Sequence, residues 1–330
     1  MKVVVLTTSY PSPEHPVAGS FVASSVEAAR AAGIDVTVVS PADVHHFGIA
    51  YGAGIAQNLR AAPWKLVLVP AFLTSFALAA RRAAADADLV HAHWIPSAVA
   101  ARASGRPYAL QVWGTDVELA RRAPALVRPL VRGARVVIAA SSFLADGARA
   151  LGAREVVVVP TPVAVPERVP VPAEPPHVLF AGRLSEEKGI LEFLAATDGL
   201  PRVVVGDGPL RDRVPEAVGF VAPSELGAYY DRAAVVCVPS RREGYGMVAR
   251  EAMAHGRPVV ATRVGGLADL DDVRLVEPGD IPALRSAVAE LLGSAELRDE
   301  LGRRARQRAE HDFSPAAASR SLVDVYSRFG

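Results

Sequence analysis

Short apolar runs separated by stretches of helical character occur twice in this chain, and seven prolines stand between the two series. In the first series the strand candidates are residues 2–7, 35–40, 88–92, 108–112, 135–140 and 155–159. In the second they are 177–181, 202–205, the short apolar stretch 218–221, the run from Val235, 258–261 and 273–276. Runs this short and this continuously apolar, each followed by enough residues for a crossover helix, predict parallel sheets covered on both faces. Between them, positions 160, 162, 166, 170, 172, 175 and 176 are proline, which predicts an extended, semi-rigid connection. The expected fold class is therefore α/β, with two doubly wound parallel-sheet domains. The first spans residues 1–160, the linker 161–176, and the second begins at 177. In such sheets ligands bind outside the carboxyl ends of the strands. Two facing sheets would place that region in a cleft between domains.

The early glycine fingerprint of nicotinamide enzymes is missing. After the first strand come Thr8-Ser9-Tyr10-Pro11 and then Gly19-Ser20, with no Gly-x-Gly-x-x-Gly. A formal net charge of +1 and the lack of any lysine or arginine block give no support for nucleic-acid binding. The one cysteine, Cys237, lies in an apolar run, and cysteine and histidine spacing shows no zinc site. The start of the chain has a short strand pattern and no cleavage-site signature, so a cytoplasmic enzyme is expected.

Residues 66–80 carry no charge and are flanked by Lys65 and by Arg81-Arg82. As a helix they would measure about 22 Å, short of the roughly 30 Å hydrocarbon core, and Pro70 is expected to interrupt them. A buried or interfacial helix fits better than a span. Apolar residues with flanking arginines are also how a helix lies on an anionic membrane, which makes peripheral association at the inner membrane face a further expectation.

The stretch with most chemistry runs from Arg241 to Gly256: a glycine loop, Glu243-Gly244-Tyr245-Gly246, then Met247-Val248-Ala249-Arg250-Glu251-Ala252-Met253-Ala254 with helical character. Glu243 and Glu251 are eight positions apart. If mostly helical, that spacing separates their backbones by about 12 Å, more than the roughly 5 to 9.5 Å at which two carboxylates work on one bond. It suits two carboxylates gripping opposite ends of an extended ligand, with the phosphate-favouring helix N-terminus between them. A strand–loop–helix unit with two solvated glutamates gives the same pattern.

Only Lys2, Lys65 and Lys188 are lysines, against thirty-six basic residues in all, so each lysine invites a reason why arginine would not serve. Gly182-Arg183-Leu184-Ser185-Glu186-Glu187-Lys188-Gly189 follows the first strand of the second half. Arg183 offers bidentate recognition of phosphate and Lys188 a compact charge, able together to neutralise a leaving diphosphate without a metal. The plain alternative pairs Lys188 with Glu186 or Glu187. His91-Ala92-His93 ends a strand, and strand period puts both imidazoles on one face; Trp94 follows. Two histidines packed near a strand end is the competing reading. Trp113-Gly114-Thr115-Asp116 ends the next strand, where Asp116 is a cleft-wall residue or a helix N-cap. Gly206-Asp207-Gly208 makes a turn, and Val264-Gly265-Gly266 would let backbone approach a ligand. Asp269-Leu270-Asp271-Asp272 holds an Asp-x-Asp that reads as a solvated loop more readily than as a metal site.

Taken together, these motifs resemble the retaining glycosyltransferases of family 4 (glycosyl transferases group 1), which have the GT-B fold. The second half carries the resemblance through Gly182-Arg183-Leu184 with Lys188-Gly189, Gly206-Asp207-Gly208-Pro209, Glu243 to Ala254, and Gly256-Arg257-Pro258-Val259-Val260-Ala261. The first half is similar more loosely, through Tyr10-Pro11 with Gly19, His91-Ala92-His93-Trp94 and Gly114-Thr115-Asp116. The resemblance implies transfer of a sugar, with retention, from a nucleotide-diphosphate sugar to an acceptor, without a metal or other cofactor. It implies that residues 177–313 bind the donor, and that 314–330 cross back to the acceptor-side first domain. Arg183 and Lys188 would hold the diphosphate, Glu243 the sugar hydroxyls and Glu251 the ribose. The N–H groups at Gly246, Met247 and Val248 would meet phosphate or sugar. Gly208 would lie along the donor, and Phe220 in a loop that reads the base. Gly19 would leave room for the donor, and His93 would contact the sugar near the reacting centre. Tyr10, Trp113 and Asp116 would face the acceptor. Trp113 stands where many relatives have histidine, and Pro160-Thr161-Pro162 replaces a frequent Pro-Asn-Gly turn. The loop that often has two glycines reads Ala18-Gly19-Ser20. A sugar-nucleotide epimerase and a non-catalytic partner subunit share this fold and are the alternatives; oligomeric state is not legible.

Overall fold

The computed structural model describes residues 1–51, 54–114, 117, 120 and 123–329. The chain divides into two compact units, Met1–Pro162 with Pro315–Gly330, and Val163–Ser314.

The first unit is built on six parallel strands, β1 (Lys2–Leu6), β2 (Asp35–Val39), β3 (Leu89–His93), β4 (Tyr108–Val112), β5 (Val136–Ala139) and β6 (Val156–Val158), in the order β2-β1-β3-β4-β5-β6. β3, β4 and β5 are buried along their whole length, so apolar residues fill both faces apart from His91, His93 and Gln111. The C-terminal helix Pro315–Ser327 packs here, through Leu322, Val325 and Tyr326, against Val22, Val26 and Ala29 of helix Ser20–Ala31. Ser319 Oγ donates to the Ala28 carbonyl at 2.6 Å, and Tyr326 reaches into β3.

The second unit has five parallel strands, β7 (Val178–Ala181), β8 (Arg202–Val205), β9 (Val235–Val238), β10 (Val259–Thr262) and β11 (Arg274–Val276), ordered β11-β10-β9-β7-β8. The apolar stretch 218–221 is not a strand of this sheet. It makes an isolated bridge, Gly219 with Gly206, and one bond from Val218 N to Val204 O at 2.9 Å, while Val218 and Phe220 are exposed and have no face to bury. The proline-rich segment is extended and is also held in place. From Val163 onward it lies along the second unit: Val163 N donates to Phe313 O at 2.8 Å and Ala173 N to Arg232 O at 3.0 Å. Arg306 and Arg257 donate to the Pro166 and Pro170 carbonyls. A proline keeps its carbonyl as an acceptor while losing its N–H, so such a strap is held by donors from the body it crosses.

Pro70 does not interrupt its helix. A 3-10 turn over Pro63–Leu68 runs directly into helix Val69–Ala83, and Pro70 stands in the first turn, where its missing N–H costs nothing.

Candidate functional site

In both sheets the strand order reverses beside the first strand, between β1 and β3 and between β7 and β9. Loops leaving neighbouring strands at such a point diverge and open a crevice at the carboxyl edge. In the second unit the loops after β7, β9 and β10 converge there. They fit only because glycines stand at the contacts. A Cβ on Gly189 would lie 1.9 Å from the Pro239 carbonyl oxygen, one on Gly206 1.8 Å from that of Gly182, and one on Gly266 2.5 Å from that of Gly244. Gly189 and Gly206 also take positive φ, 71° and 136°.

This packing brings Lys188, on the loop after β7, to Glu243, on the loop after β9. Lys188 Nζ donates to Glu243 Oε2 at 2.7 Å, and Ser240 Oγ donates to the same oxygen at 3.4 Å. Glu186 and Glu187 do not take the lysine; Glu187 pairs with Arg242 at 3.3 Å. Of the other two lysines, Lys2 meets Asp86 at the surface and Lys65 the Gly48 carbonyl. Arg183 is exposed at the same strand end and forms no ion pair with a described residue. Gly208 packs directly beneath its neighbour: a Cβ there would stand 2.6 Å from Leu184 O. Phe220 is 68% exposed, next to the Gly206–Gly219 bridge.

The helix of this unit starts only at Met247, after Gly246 at φ 88°. Residues 243–246 are loop, so an all-helical spacing does not describe the separation of the two glutamates. The first N–H groups of Met247–Ala254 have no acceptor within the helix and point out of its N-terminus. Glu251, one turn before the helix ends, accepts from Tyr230 Oη at 2.7 Å, a residue of helix Pro223–Arg232. Burial raises the Glu251 carboxyl above its ordinary value of 4.5, while the Tyr230 hydrogen bond and His255 act to lower it. The Tyr230 hydroxyl is itself pushed well up, first by burial and then by that carboxylate.

Arg250, adjacent to Glu251, is only 2% exposed. It donates to Tyr245 O and, at 3.1 Å, to Gly266 O, and its guanidinium lies 3.8 Å from the Tyr245 ring centre and 5.0 Å from that of Phe313. One cation therefore clamps the loop carrying Glu243 to the loop after β10. Neither Tyr230 nor Arg250 was singled out from the sequence. Arginine among Met247-Val248-Ala249 and Glu251 in an otherwise apolar helix was the available signal for the second. For Tyr230, whose partner is 21 residues away, there was none.

In the first unit, Gly19 takes φ 61° at the start of helix Ser20–Ala31, and the space a Cβ would need is filled by Ser9 O at 2.2 Å. Tyr10 is half-buried against the core of this unit. His91 and His93 do share a face of β3, with ring centres 4.3 Å apart. His91 Nδ1 lies 2.7 Å from Tyr326 Oη, and burial pushes this imidazole down to about 3. His93 is also buried and held neutral, its ring stacked on Trp113 at 5.7 Å, with Phe21 beyond. His93 is thus covered by aromatic residues. Asp116 lies outside the described residues.

Among the described residues no group of three histidine, cysteine, aspartate or glutamate side chains is placed to share a metal ion. Asp272 of the acidic run pairs with Arg304 and Arg308. Cys237 is buried in β9 and its thiol is pushed up by burial, an inert core residue.

Two family models match this chain, glycosyltransferase family 4 over residues 18–165 and glycosyl transferases group 1 over 175–294. The protein named teichuronic acid biosynthesis glycosyltransferase TuaC of Bacillus subtilis is 28% identical, over 91% of this chain and 92% of its own length. Glycogen synthase of Mycobacterium tuberculosis is 28% identical over 72% of this chain and 68% of its own. Among solved structures, sucrose-phosphate synthase of Thermosynechococcus elongatus superposes with a TM-score of 0.78 at 22% identity, covering 99% of both chains. HepE of Anabaena in complex with UDP-glucose gives 0.72 at 18%, covering 99% of this chain and all of its own. With two parallel-sheet units, these neighbours and both family models, the chain has the GT-B fold and belongs to the group 1, family 4 glycosyltransferases.

Proposed function

We propose that the protein transfers a hexose, with retention, from a nucleoside-diphosphate sugar bound at the β7–β9 strand ends to a hydroxyl acceptor taken up by the first unit. The observation that carries this reading is the Lys188–Glu243 pair, with Arg183 on the same loop as the lysine and Glu251 on the helix that follows. As the bond from the anomeric carbon to the diphosphate oxygen breaks, its electron pair stays on the diphosphate, the acceptor oxygen bonds the same carbon, and the acceptor's proton leaves on the diphosphate. Arg183 and Lys188 stabilise that growing charge, aided by the N–H groups of Gly246, Met247 and Val248. Two cations supply what a metal would supply, so the reaction proceeds without one. Glu243 accepts from the sugar hydroxyls and Glu251 from the ribose, with Gly208 under the donor and Phe220 against the base. Neither glutamate serves as the general acid. On the acceptor side stand Trp113 and Tyr10, with the buried His93 stacked behind Trp113.

The solved structures of HepE that hold UDP and UDP-glucose make uridine the first base to test. In a thermal-shift panel, one nucleoside diphosphate should raise the melting temperature above the others. The matching nucleotide sugar, incubated with acceptor and chelator, should then release that diphosphate. Isomerised donor without lasting release would show an epimerase instead, and absence of binding to every nucleotide would overturn the assignment.

A further inference from the structure

The first unit carries an exposed surface that is both apolar and basic. From Val44 to Ala85 the sequence has no aspartate or glutamate, yet it includes Arg60, Lys65, Arg81 and Arg82. The first acid after it, Asp86, is already paired with Lys2 at 2.5 Å. In the middle of this acid-free stretch, Trp64 is 64% exposed and Val67 77%, with Leu66 and Leu78 also more than half exposed. Helix Val69–Ala83 buries Phe72, Phe76 and Ala80 on one side, at i, i+4 and i+8. Val67, Ala71, Thr74, Leu78 and Arg81 follow one another at helical spacing on the other side. The outward stripe is thus apolar along most of its length, with cations at its ends.

A second feature extends the surface. Phe47, 43% exposed, sits at φ 51°, a conformation a bulky residue rarely adopts. Its loop is fastened to the same segment on both sides: His45 N donates to Ser75 Oγ at 3.0 Å, and Lys65 Nζ to Gly48 O at 2.9 Å. An aromatic ring is held out beside Lys65 at the cost of backbone strain.

Pro63–Asp86 is long and apolar enough by composition to cross a bilayer. Crossing would strip Phe72, Phe76 and Ala80 from the core of their unit and expose the helix Ile95–Ala103 packed against them. A helix anchored on one face and apolar on the other lies on a surface. We propose that this face docks the protein on a membrane leaflet rich in anionic phospholipid. Trp64, Leu66, Val67 and Phe47 enter the headgroup boundary, while Arg60, Arg81 and Arg82 face the phosphates. Charge decides among occupants. A second copy would set the same cations against each other at a symmetric contact, whereas an anionic leaflet neutralises all of them.

The test is co-sedimentation of the full chain with vesicles of phosphatidylcholine alone, or of equal parts phosphatidylcholine and phosphatidylglycerol. Each cation near an anionic surface contributes roughly fivefold to partitioning. Binding should therefore favour the anionic vesicles and weaken with salt, and fall by about 25-fold or more in Arg81→Glu/Arg82→Glu. Trp64→Ser/Val67→Ser should also lose binding, with its melting temperature unchanged because both side chains are at the surface. Equal partitioning to both vesicle types, or binding indifferent to both variants, would overturn the proposal. So would a dimer in sedimentation velocity that Trp64→Ser/Val67→Ser dissociates, since the face would then belong to a second copy.

Discussion

Lys188 Nζ and Glu243 Oε2, on loops 55 residues apart in sequence, meet at 2.7 Å where the strand order of the second sheet reverses. The lysine is 31% exposed and the glutamate 15%. The pair is wet enough to open for a ligand, and close enough to hold the ammonium in place before one arrives. A point charge on a flexible stem can turn from carboxylate to phosphate without leaving the site, which a planar guanidinium cannot do as readily.

Lys188→Ala and Glu243→Ala are each expected to lower kcat by about 10²–10³, the range for losing one group that stabilises transition-state charge. Melting temperatures should change little, because a partly exposed ion pair contributes about 1 kcal/mol or less. Lys188→Arg should not restore the rate. A double variant close to either single one would show that the two act as a unit. Initial rates of nucleoside-diphosphate release, measured with each variant's melting curve, check all of this.

Arg250 should matter through the loops it holds. Arg250→Ala leaves the Tyr245 and Gly266 carbonyls without their donor, and hydrogen bonds to charged groups contribute about 1.5–3 kcal/mol each. A loss of about 3 kcal/mol or more is expected in denaturant melts, along with weaker donor binding. Arg250→Lys should recover little of either, since one ammonium cannot reproduce a fork that reaches two carbonyls. Isothermal titration with nucleoside diphosphate separates the binding effect from the stability effect.

The raised carboxyl of Glu251 gives a stability prediction with a definite sign. A group whose folded-state pKa exceeds its unfolded one stabilises the fold below the unfolded value and loses that contribution as pH rises through the folded value. Glu251→Gln should therefore melt higher than the native chain at neutral pH, with the gap narrowing as pH falls towards 4.5, while nucleotide affinity drops. Tyr230→Phe should destabilise at neutral pH by about 1.5–3 kcal/mol, the hydrogen bond to a charged acceptor. Melting curves across this pH range decide it; a Glu251→Gln advantage greatest in acid would contradict the account.

The buried His91 predicts the opposite limb. Its folded-state pKa is pushed down to about 3 from 6.5, so its contribution is whole above 6.5 and is lost as pH falls towards 3. The slope is about 1.4 kcal/mol per pH unit, and His93, depressed for the same reason, acts in the same sense. His91→Gln, which keeps a polar group for the Tyr326 hydroxyl, should flatten the acid side of the stability profile by about 2 kcal/mol between pH 6.5 and 5. Denaturant midpoints at those two pH values measure it.

What the sequence determined by itself is local. Strands such as Val178–Ala181 and Val235–Val238 are legible, because a strand buried on both faces leaves an uninterrupted apolar run bounded by polar or turn residues. Glycines 189, 206 and 246 stand where the chain needs positive φ, and the carboxylates and cations of the donor loops are visible as types and spacings. Tertiary structure alone decided the partners. That Lys188 meets Glu243 rather than Glu186 or Glu187, that Tyr230 holds Glu251, and that Arg250 clamps two loops all follow from strand order and loop packing. So does the laying of 163–176 along the second unit, where composition suggested only an extended, semi-rigid connection. These contacts join residues distant in sequence, such as Arg306 and Pro166, 140 positions apart, and no local propensity encodes them. Sequence periodicity reports which face of an element is buried, and only the folded sheet decides which loops its neighbours bring alongside.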